Sequence, residues 1–593
     1  MRFQGIAASP GLALGRVYRF EREELGVREI ELIPELVESE IGRFHAALEV
    51  SRRELAGIRD GIAAELGEAE AHIYEAHVMM LDDPDLVESV DRGIREDRRN
   101  AAFVFRAYMA AVAARFENVE DEYLRERRAD VVDCARRVLR HLLGAGTRQL
   151  EELKEPMIVA AHDLGPSEVA MLPRDKVLAF VLEVGGRTSH GAIVARGRGI
   201  PAVLSVAGAM ASMQTDMVAA VDGFLGVVET EPDEAAVAFY RVRMERARAR
   251  SESMRALESE PAQTRDGRRI ELGANLELPG EAAVAAVSGA DGIGLFRTEF
   301  FYLNRTERPT EEEQYQAYRH VTEHMKNRPV IFRTMDLGGD KVASYLGVTH
   351  ETNPFLGLRG IRLALTSPEM FRTQIRAIYR ASAHGRVRLM FPMVSGVEEL
   401  RRALVLRDEA LAELRAAGQA FDPHVEVGIM IETPSAVWMA DALAEHADFF
   451  SVGTNDLTQY TLAMDRDNPR LAHLYEPMDP AVLRSIRHTV EAAHARGRWV
   501  GVCGEMAGDP QNAVLLVGLG VDELSVSVYD VPRVKAAIRS VNLEAVRKLA
   551  DEALRCSSAE PVRALMRREI DRLLPSFLVQ ERAQEGTPTP DRA

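Results

Sequence analysis

The sequence predicts an α/β multidomain protein. An N-terminal α/β domain carries an inserted helical subdomain, and a C-terminal (β/α)8 TIM barrel follows. Three observations predict this. Eight short apolar runs recur between residues 270 and 528, with helical stretches between most of them, the rhythm of a barrel. A region of three- and four-residue apolar spacing, residues 34–144, separates two strand-rich stretches. A chain of 593 residues exceeds what one hydrophobic core organises, so about two to four domains are expected.

Taken in order, "QGIAASPGLALGRVYRF" (4–20) reads as short strands broken by Pro10, Gly11 and Gly15. From about residue 34, "IPELVESEIGRFHAALEVSRRELAGIRDGIAAEL" and later "NAAFVFRAYMAAVAARFENVEDEYLRERRADVVDCARRVLRHLL" read as amphipathic helix. Strands return after Pro156 with "MIVAAHD", "VLAFVLE" and "MVAAVDGFLGVVETEP". The simplest account is one α/β domain from 1–20 and 145–230, with residues 21–144 inserted as helices. Residues 231–260 are polar almost all round and predict an exposed linker helix. The barrel spans 261–575, its strands in "IELGANLE", "GIGLFRTEF", "VIFRTMD", "VRLMFPMV", "VEVGIMIETP", "FFSVGTNDL", "WVGVCGE" and "ELSVSV". A doubly wound open sheet is the competing fold. Residues 576–593 are polar and predict disorder.

Composition narrows the function. A net charge of −18 argues against nucleic-acid binding. No apolar run approaches the ~20 residues a bilayer needs, and the start lacks a signal-peptide core, so no membrane insertion is expected. Three separated cysteines make neither a disulfide framework nor a zinc site. The expected location is a reducing cytoplasm.

Barrel enzymes react at the C-terminal ends of their strands, and here those ends carry Arg297, Arg333, Glu432, Asn455, Asp456 and Cys503, with Arg359 and Arg466 close behind. Singly, each is more often structural. Together, several arginines would repel one another unless a polyanion lay among them, and guanidinium forks suit phosphate and carboxylate oxygens. Glu432 and Asp456 are hard oxygen ligands suited to Mg²⁺. A small metabolite bearing phosphate and carboxylate satisfies the set; a purely structural arginine–carboxylate network is the alternative. In the first domain, "VLEVGGRTSHGAIVARGRGIP" places His190 where a helix should begin. A neutral imidazole accepts a phosphoryl group near pH 7, and helix-start N–H groups favour its phosphate. Gly185 and Gly186 allow close approach, and Thr188 and Ser189 offer hydroxyls.

The run "GGRTSHGAIVARGRGIPAV", "GLFRTEFFY", "FRTMDLGGDK", "NPFLGLRGIR", "FPMV", "IETPSA", "DFFSVGTNDLTQYTLAMDRDN", "HLYEPMDPAV" and "GVCGEMAGD" resembles enzyme I of the bacterial phosphotransferase system, from "GIAASPGLALG" to about residue 575. The resemblance implies a swivelling phosphohistidine domain, with His190 phosphorylated on Nε2. It implies that Arg297, Arg333, Asn455 and Arg466 hold phosphoenolpyruvate, with Arg359 in support and Asp456 beside them. It further implies that Glu432 and Asp456 bind Mg²⁺, and that Cys503 protonates the enolate to give pyruvate. "EAHIYEAHVMMLDDPDL" resembles the region that docks the phosphocarrier HPr, and a homodimer through the barrel is implied. Gly191 departs from the Thr or Ala of better-known members. A nitrogen-type regulatory paralogue and a pyruvate–phosphate dikinase-like enzyme are the rival readings; the dikinases need an ATP-binding region ahead of the histidine domain.

Overall fold

The computed structural model describes residues 1–575 apart from 22–24, 66–67, 116–121, 145–152, 154, 166–167, 170–171, 187–189, 256, 304–306, 339–350, 352, 467, 469 and 472–473. The expected disordered tail, 576–593, lies outside the described residues. The chain forms two compact units, Met1–Ala249 and Arg250–Ala593. Among the described residues no helix is long and apolar enough to cross a membrane.

The first unit is built on β1 (Arg2–Gln4), β2 (Ile6–Ser9), β3 (Leu12–Phe20), β4 (Met157–Ala161), β5 (Val177–Leu182), β6 (Ala202–Leu204), β7 (Val218–Asp222) and β8 (Val227–Thr230). They form one sheet ordered β1-β8-β7-β3-β4-β5-β6-β2. β3 to β6 run parallel, which explains the unbroken apolar runs of β4 and β5, whose residues are almost all buried. The remaining neighbours are antiparallel.

Between β3 and β4 the chain leaves the sheet for helices Val37–Glu65, Glu68–Leu81, Pro84–Asp97, Ala101–Arg115 and Glu122–Leu143. Their stripe is plain in Leu86, Val90 and Ile94, spaced four apart and all buried. They share a core with Phe44, Leu48, Phe105 and Val138. Asp83 caps the third helix by accepting from the Asp85 N–H at 2.9 Å, with Pro84 as its first residue. Arg98, at φ +49°, ends it.

Helix Glu234–Arg255 is shorter and less exposed than the sequence suggests. Tyr240 is buried, and three residues on, Arg243 donates to the buried Asp222 carboxylate of β7 at 2.6 Å. One aromatic and one guanidinium fork on a shared face are enough to seat this helix on the first unit. A reading weighted by its polar majority overlooks them.

The second unit contains all eight expected strands: β9 (Glu271–Leu276), β10 (Gly292–Phe296), β11 (Val330–Arg333), β12 (Val387–Phe391), β13 (Glu426–Ile431), β14 (Phe449–Val452), β15 (Trp499–Val502) and β16 (Glu523–Ser527). All pair in parallel, and β16 returns to β9, closing the barrel. One core packs strands against the outer helices. A separate cluster of Leu295, Ile331, Met390, Met430, Phe449 and Cys503 fills the lumen. Toward the N-terminal ends of the strands, Arg388 pairs with Glu426 at 2.7 Å and Glu271 at 3.0 Å.

Helix Glu311–Met325 begins with a capping box: Thr310 Oγ1 accepts from the Glu313 N–H at 3.2 Å, and the Glu313 carboxylate accepts from the Thr310 N–H at 2.7 Å. Thr310→Ala removes both bonds of the Thr310 hydroxyl to Glu313 and is expected to cost about 1 kcal/mol, read as an earlier urea transition of the second unit.

Candidate active site

Eight of the nine expected site residues line one cavity of about 320 Å³ at the C-terminal end of the barrel: Arg297, Arg333, Arg359, Glu432, Asn455, Asp456, Arg466 and Cys503. The ninth, His190, belongs to the first unit.

Strand ends deliver most of these groups. Arg333 is the last residue of β11 and is buried. Its guanidinium reaches Glu299 at 2.8 Å and Asp336 at 3.2 Å. Arg359 reaches Asp336 at 3.1 Å and Asp456 at 3.3 Å, and donates to the Tyr460 hydroxyl at 3.3 Å. Arg297 is more open and pairs with Glu277. The Arg466 Nη1 lies 3.7 Å from Asp456. Asn455 is fixed by Glu505, accepting from its N–H at 3.0 Å and donating to its carboxylate at 3.3 Å.

The arginines are therefore interleaved with carboxylates, and their mutual repulsion does not by itself demand a polyanion. The case for an anionic ligand rests elsewhere. Arg333 Nε, Arg359 Nε and Arg466 Nη1 are buried donors with no hydrogen-bond partner among the described residues. Unpartnered Nε atoms also occur on Arg372, Arg380 and Arg487 away from the cavity, so Arg466 Nη1 is the telling one. Burial alone would lower the Arg333 guanidinium's pKa, but Glu299 and Asp336 hold it above its ordinary value. Asp336 and Asp456 do the same for Arg359.

Glu432 follows β13 and is buried. It accepts from the Met393 N–H at 2.8 Å. Met393 holds φ at +56°, a strained conformation of the kind that clusters at working sites. Burial, then the charges of Asp456 and Asp336, push the Glu432 carboxyl up to about 8. One oxygen from each of Asp336, Glu432 and Asp456 lies within 4.8 Å of the others. Crowded, buried, hard oxygen donors fit a divalent cation such as those bound by carboxylates and substrate oxygens.

Cys503 follows β15 and is 3% exposed. Its thiol faces the Val452 carbonyl at 3.8 Å. Burial pushes it up to about 12, with the Ser451 hydroxyl pulling the other way and the Glu432 charge adding to the rise. The thiol therefore stays protonated at neutral pH, more firmly than its ordinary value implies. Gly504 and Gly453 are needed where they stand: a Cβ there would lie 2.0 Å from Thr454 Oγ1 and 2.7 Å from Glu432.

Asp336 and Glu299 were not singled out by sequence reasoning. Both stand in motifs already conspicuous, "FRTMDLGGDK" and "GLFRTEF", three and two residues beyond the arginines. A carboxylate so soon after a strand-end arginine is a usable signal.

In the first unit, helix His190–Arg198 begins at His190 between β5 and β6, as expected. Thr188 and Ser189 lie outside the described residues, as does Arg187. Gly185 takes φ +116°, closed to most side chains, and its carbonyl accepts from the Ser205 hydroxyl at 2.8 Å. A Cβ at Gly191 would meet Leu182 Cδ1 of β5 at 3.1 Å, so glycine lets this helix press on the strand. In the expected docking stretch, Met79 is exposed. His77 is instead fully buried, its Nε2 3.4 Å from Asp130.

A barrel mouth lined with arginines, a carboxylate triad and a buried thiol, in a chain whose other unit starts a helix at a histidine, marks the class of phosphoenolpyruvate-using enzymes. Three family models agree: the PEP-utilising enzyme PEP-binding domain over residues 251–543, its N-terminal domain over 4–127 and its mobile domain over 153–226. The chain belongs to the phosphoenolpyruvate-protein phosphotransferase family. It is 42% identical to the phosphoenolpyruvate-protein phosphotransferase of Listeria monocytogenes over 94% of this chain and 97% of that one. The corresponding protein of Geobacillus stearothermophilus is also 42% identical, over 95% and 97%. That of Bacillus subtilis is 40% identical, over 95% and 99%.

Proposed function

We propose that the protein transfers the phosphoryl group of phosphoenolpyruvate to its own His190, releases pyruvate, and passes the group to a histidine of the carrier HPr. The observation that supports this most is the single barrel-mouth cavity, which gathers anion-binding forks, clustered carboxylates and a protonated thiol. Arg297, Arg333, Asn455 and Arg466 bind phosphoenolpyruvate, and Arg359, held by Asp336 and Asp456, supports the same phosphate. Glu432 and Asp456 would hold Mg²⁺, with Asp336 in reach. When bound, the cation supplies positive charge beside the phosphoryl and enolate oxygens.

The arginine forks fix the substrate in place, so catalysis is mostly positioning and charge stabilisation around a loose transition state. His190 Nε2 takes the phosphoryl group. Cys503 then delivers its proton to the enolate carbon, a role for a group that is reliably protonated beforehand. We assign 1–20 with 145–230 as phosphohistidine domain, 21–144 as HPr-docking subdomain, 231–260 as the linker, whose helix starts on the first unit, and 261–575 as barrel. His190 must meet phosphoenolpyruvate and then HPr, which calls for a rigid-body swing of its domain. Residues 70–86 receive HPr, the barrel carries a homodimer contact, and the enzyme works in the cytoplasm.

The test is incubation with phosphate-labelled phosphoenolpyruvate and Mg²⁺, followed by mapping of the label and a chase with HPr. Acid-labile, base-stable label on His190 that moves to HPr is expected, and a chelator should reduce labelling at least ~100-fold. Label that never reaches His190, or labelling untouched by the chelator, would contradict the reading.

A further inference from the structure

Glu523 is a buried carboxyl that the chemistry above leaves unused. It begins β16, is 1% exposed and points into the barrel lumen. Three strands make room for it by carrying glycine. A Cβ at Gly294 would lie 2.0 Å from its Oε1, one at Gly501 2.0 Å from its Oε2, and one at Gly273 2.8 Å from Oε1. Its Oε2 has no hydrogen-bond partner among the described residues. Burial, with the Glu271 charge, pushes this carboxyl up to about 8 against the pull of Arg388. At neutral pH it therefore holds a proton.

Its neighbours reach both ways along the lumen. In the β15–β16 register Gly501 stands opposite Glu523, and Cys503 is two residues further on, about 6.7 Å along the strand. The Ser525 hydroxyl lies one level up, 2.4 Å from the same missing Gly294 Cβ that Glu523 Oε1 approaches. That hydroxyl donates to Asn275 Oδ1 at 2.6 Å, and Asn275 Nδ2 donates to the Cys503 carbonyl at 3.1 Å. In the other direction, Glu523 pairs in register with Glu271 of β9. The Glu271 side chain is 38% exposed and bound to Arg388. Polar groups thus run from the solvent-facing N-terminal mouth of the barrel to the Cys503 backbone, and the Glu523 charge acts on the thiol itself.

We propose that Glu523 is the proton reservoir that recharges Cys503, itself refilled from solvent by way of Glu271. The proposal rests on the reading of Cys503 as the acid. In the reaction the Cys503 S–H bond breaks and a C–H bond forms on the enolate, leaving a thiolate. The Glu523 O–H bond then breaks and the S–H bond re-forms, with the Ser525 hydroxyl handing the proton across. The Glu523 carboxylate regains a proton from water through Glu271. Glu523 acts through Cys503 and not on the substrate.

The experiment is the exchange of carbon label between pyruvate and phosphoenolpyruvate, run in D2O with Mg²⁺. Each cycle takes a proton from the thiol and gives one back, so carbon exchange needs no net proton. Deuterium enters C3 only when the thiol swaps with solvent. The readout is deuterium incorporated per carbon exchanged, which a merely structural change would not move. Glu523→Gln is expected to lower this ratio at least ~10-fold, and Glu271→Gln to lower it at least ~3-fold. An unchanged ratio in Glu523→Gln overturns the proposal. If that variant fails to fold, an unchanged ratio in Glu271→Gln does so. Cys503→Ala distinguishes the underlying reading: carbon exchange that persists in that variant overturns Cys503 as the acid, whatever Glu523 does.

Discussion

His190→Ala is expected to abolish labelling by phosphoenolpyruvate, a loss of at least ~10³-fold, while binding of phosphoenolpyruvate to the barrel stays within about two-fold. The contrast follows from the separation of the parts. His190 lies in the unit Met1–Ala249, and the cavity is assembled wholly within Arg250–Ala593. Removing the imidazole takes away the acceptor and leaves the arginines untouched. The substitution sits at the first residue of a helix, where alanine is tolerated, so circular dichroism should match the parent. Acid-labile label counted by mass and substrate binding by calorimetry check both halves. Label that persists on another of the 15 histidines would remove His190 from the reaction. Lost binding would mean that the imidazole helps to hold the substrate.

Glu432→Gln is expected to move activity and stability in opposite directions. Activity should fall at least ~100-fold, because the proposed cation, worth several kcal/mol in the transition state, would lose a ligand. Stability without divalent cation should rise at alkaline pH. The Glu432 carboxyl is raised to about 8 in the folded protein, against about 4.3 in an unfolded chain. It therefore binds its proton more tightly when folded. The parent, kept free of cation, loses stability as pH climbs from about 4 through 8, and the amide does not. At pH 9 in chelator the variant should melt at least about 2 °C higher, and added Mg²⁺ should stabilise the parent more than the variant. Equal melting across that window would show that Glu432 is relieved by something other than a cation.

The barrel was legible because most strands are short apolar runs ended by Gly, Pro or a charged residue, and because parallel strands are buried on both faces. The strand-end residues were legible for the same reason: a polar group just after such a run has nowhere to go but the mouth. Their pairing was not. Arg333 meets Glu299 from 34 positions away, and Arg359 meets Asp456 from 97. Only the closing of the barrel brings such partners together. In the helical subdomain the periodicity was plain over 33–66 and 100–143, but the helix Pro84–Asp97 between them, set off by its Asp83 cap and the left-handed Arg98, was not singled out. Tyr240 was hidden by its polar surroundings, since one buried ring scarcely alters a window of charged residues.

The sheet of the first unit gives its two outermost places to β1 and β2, which are joined by Gly5 alone. Gly5 itself is tied across, its N–H donating to the Gly226 carbonyl at 2.8 Å, and a Cβ there would lie 2.5 Å from the Leu204 carbonyl oxygen. One eight-residue ribbon, Arg2–Ser9, thus seals both edges of the sheet. Trimming it, or pulling it aside with a bulky fusion, would bare β8 and β6 at once. Exposed edges recruit strands from other chains, so the harm would appear first as lost solubility, and a purification tag belongs at the other end of the protein.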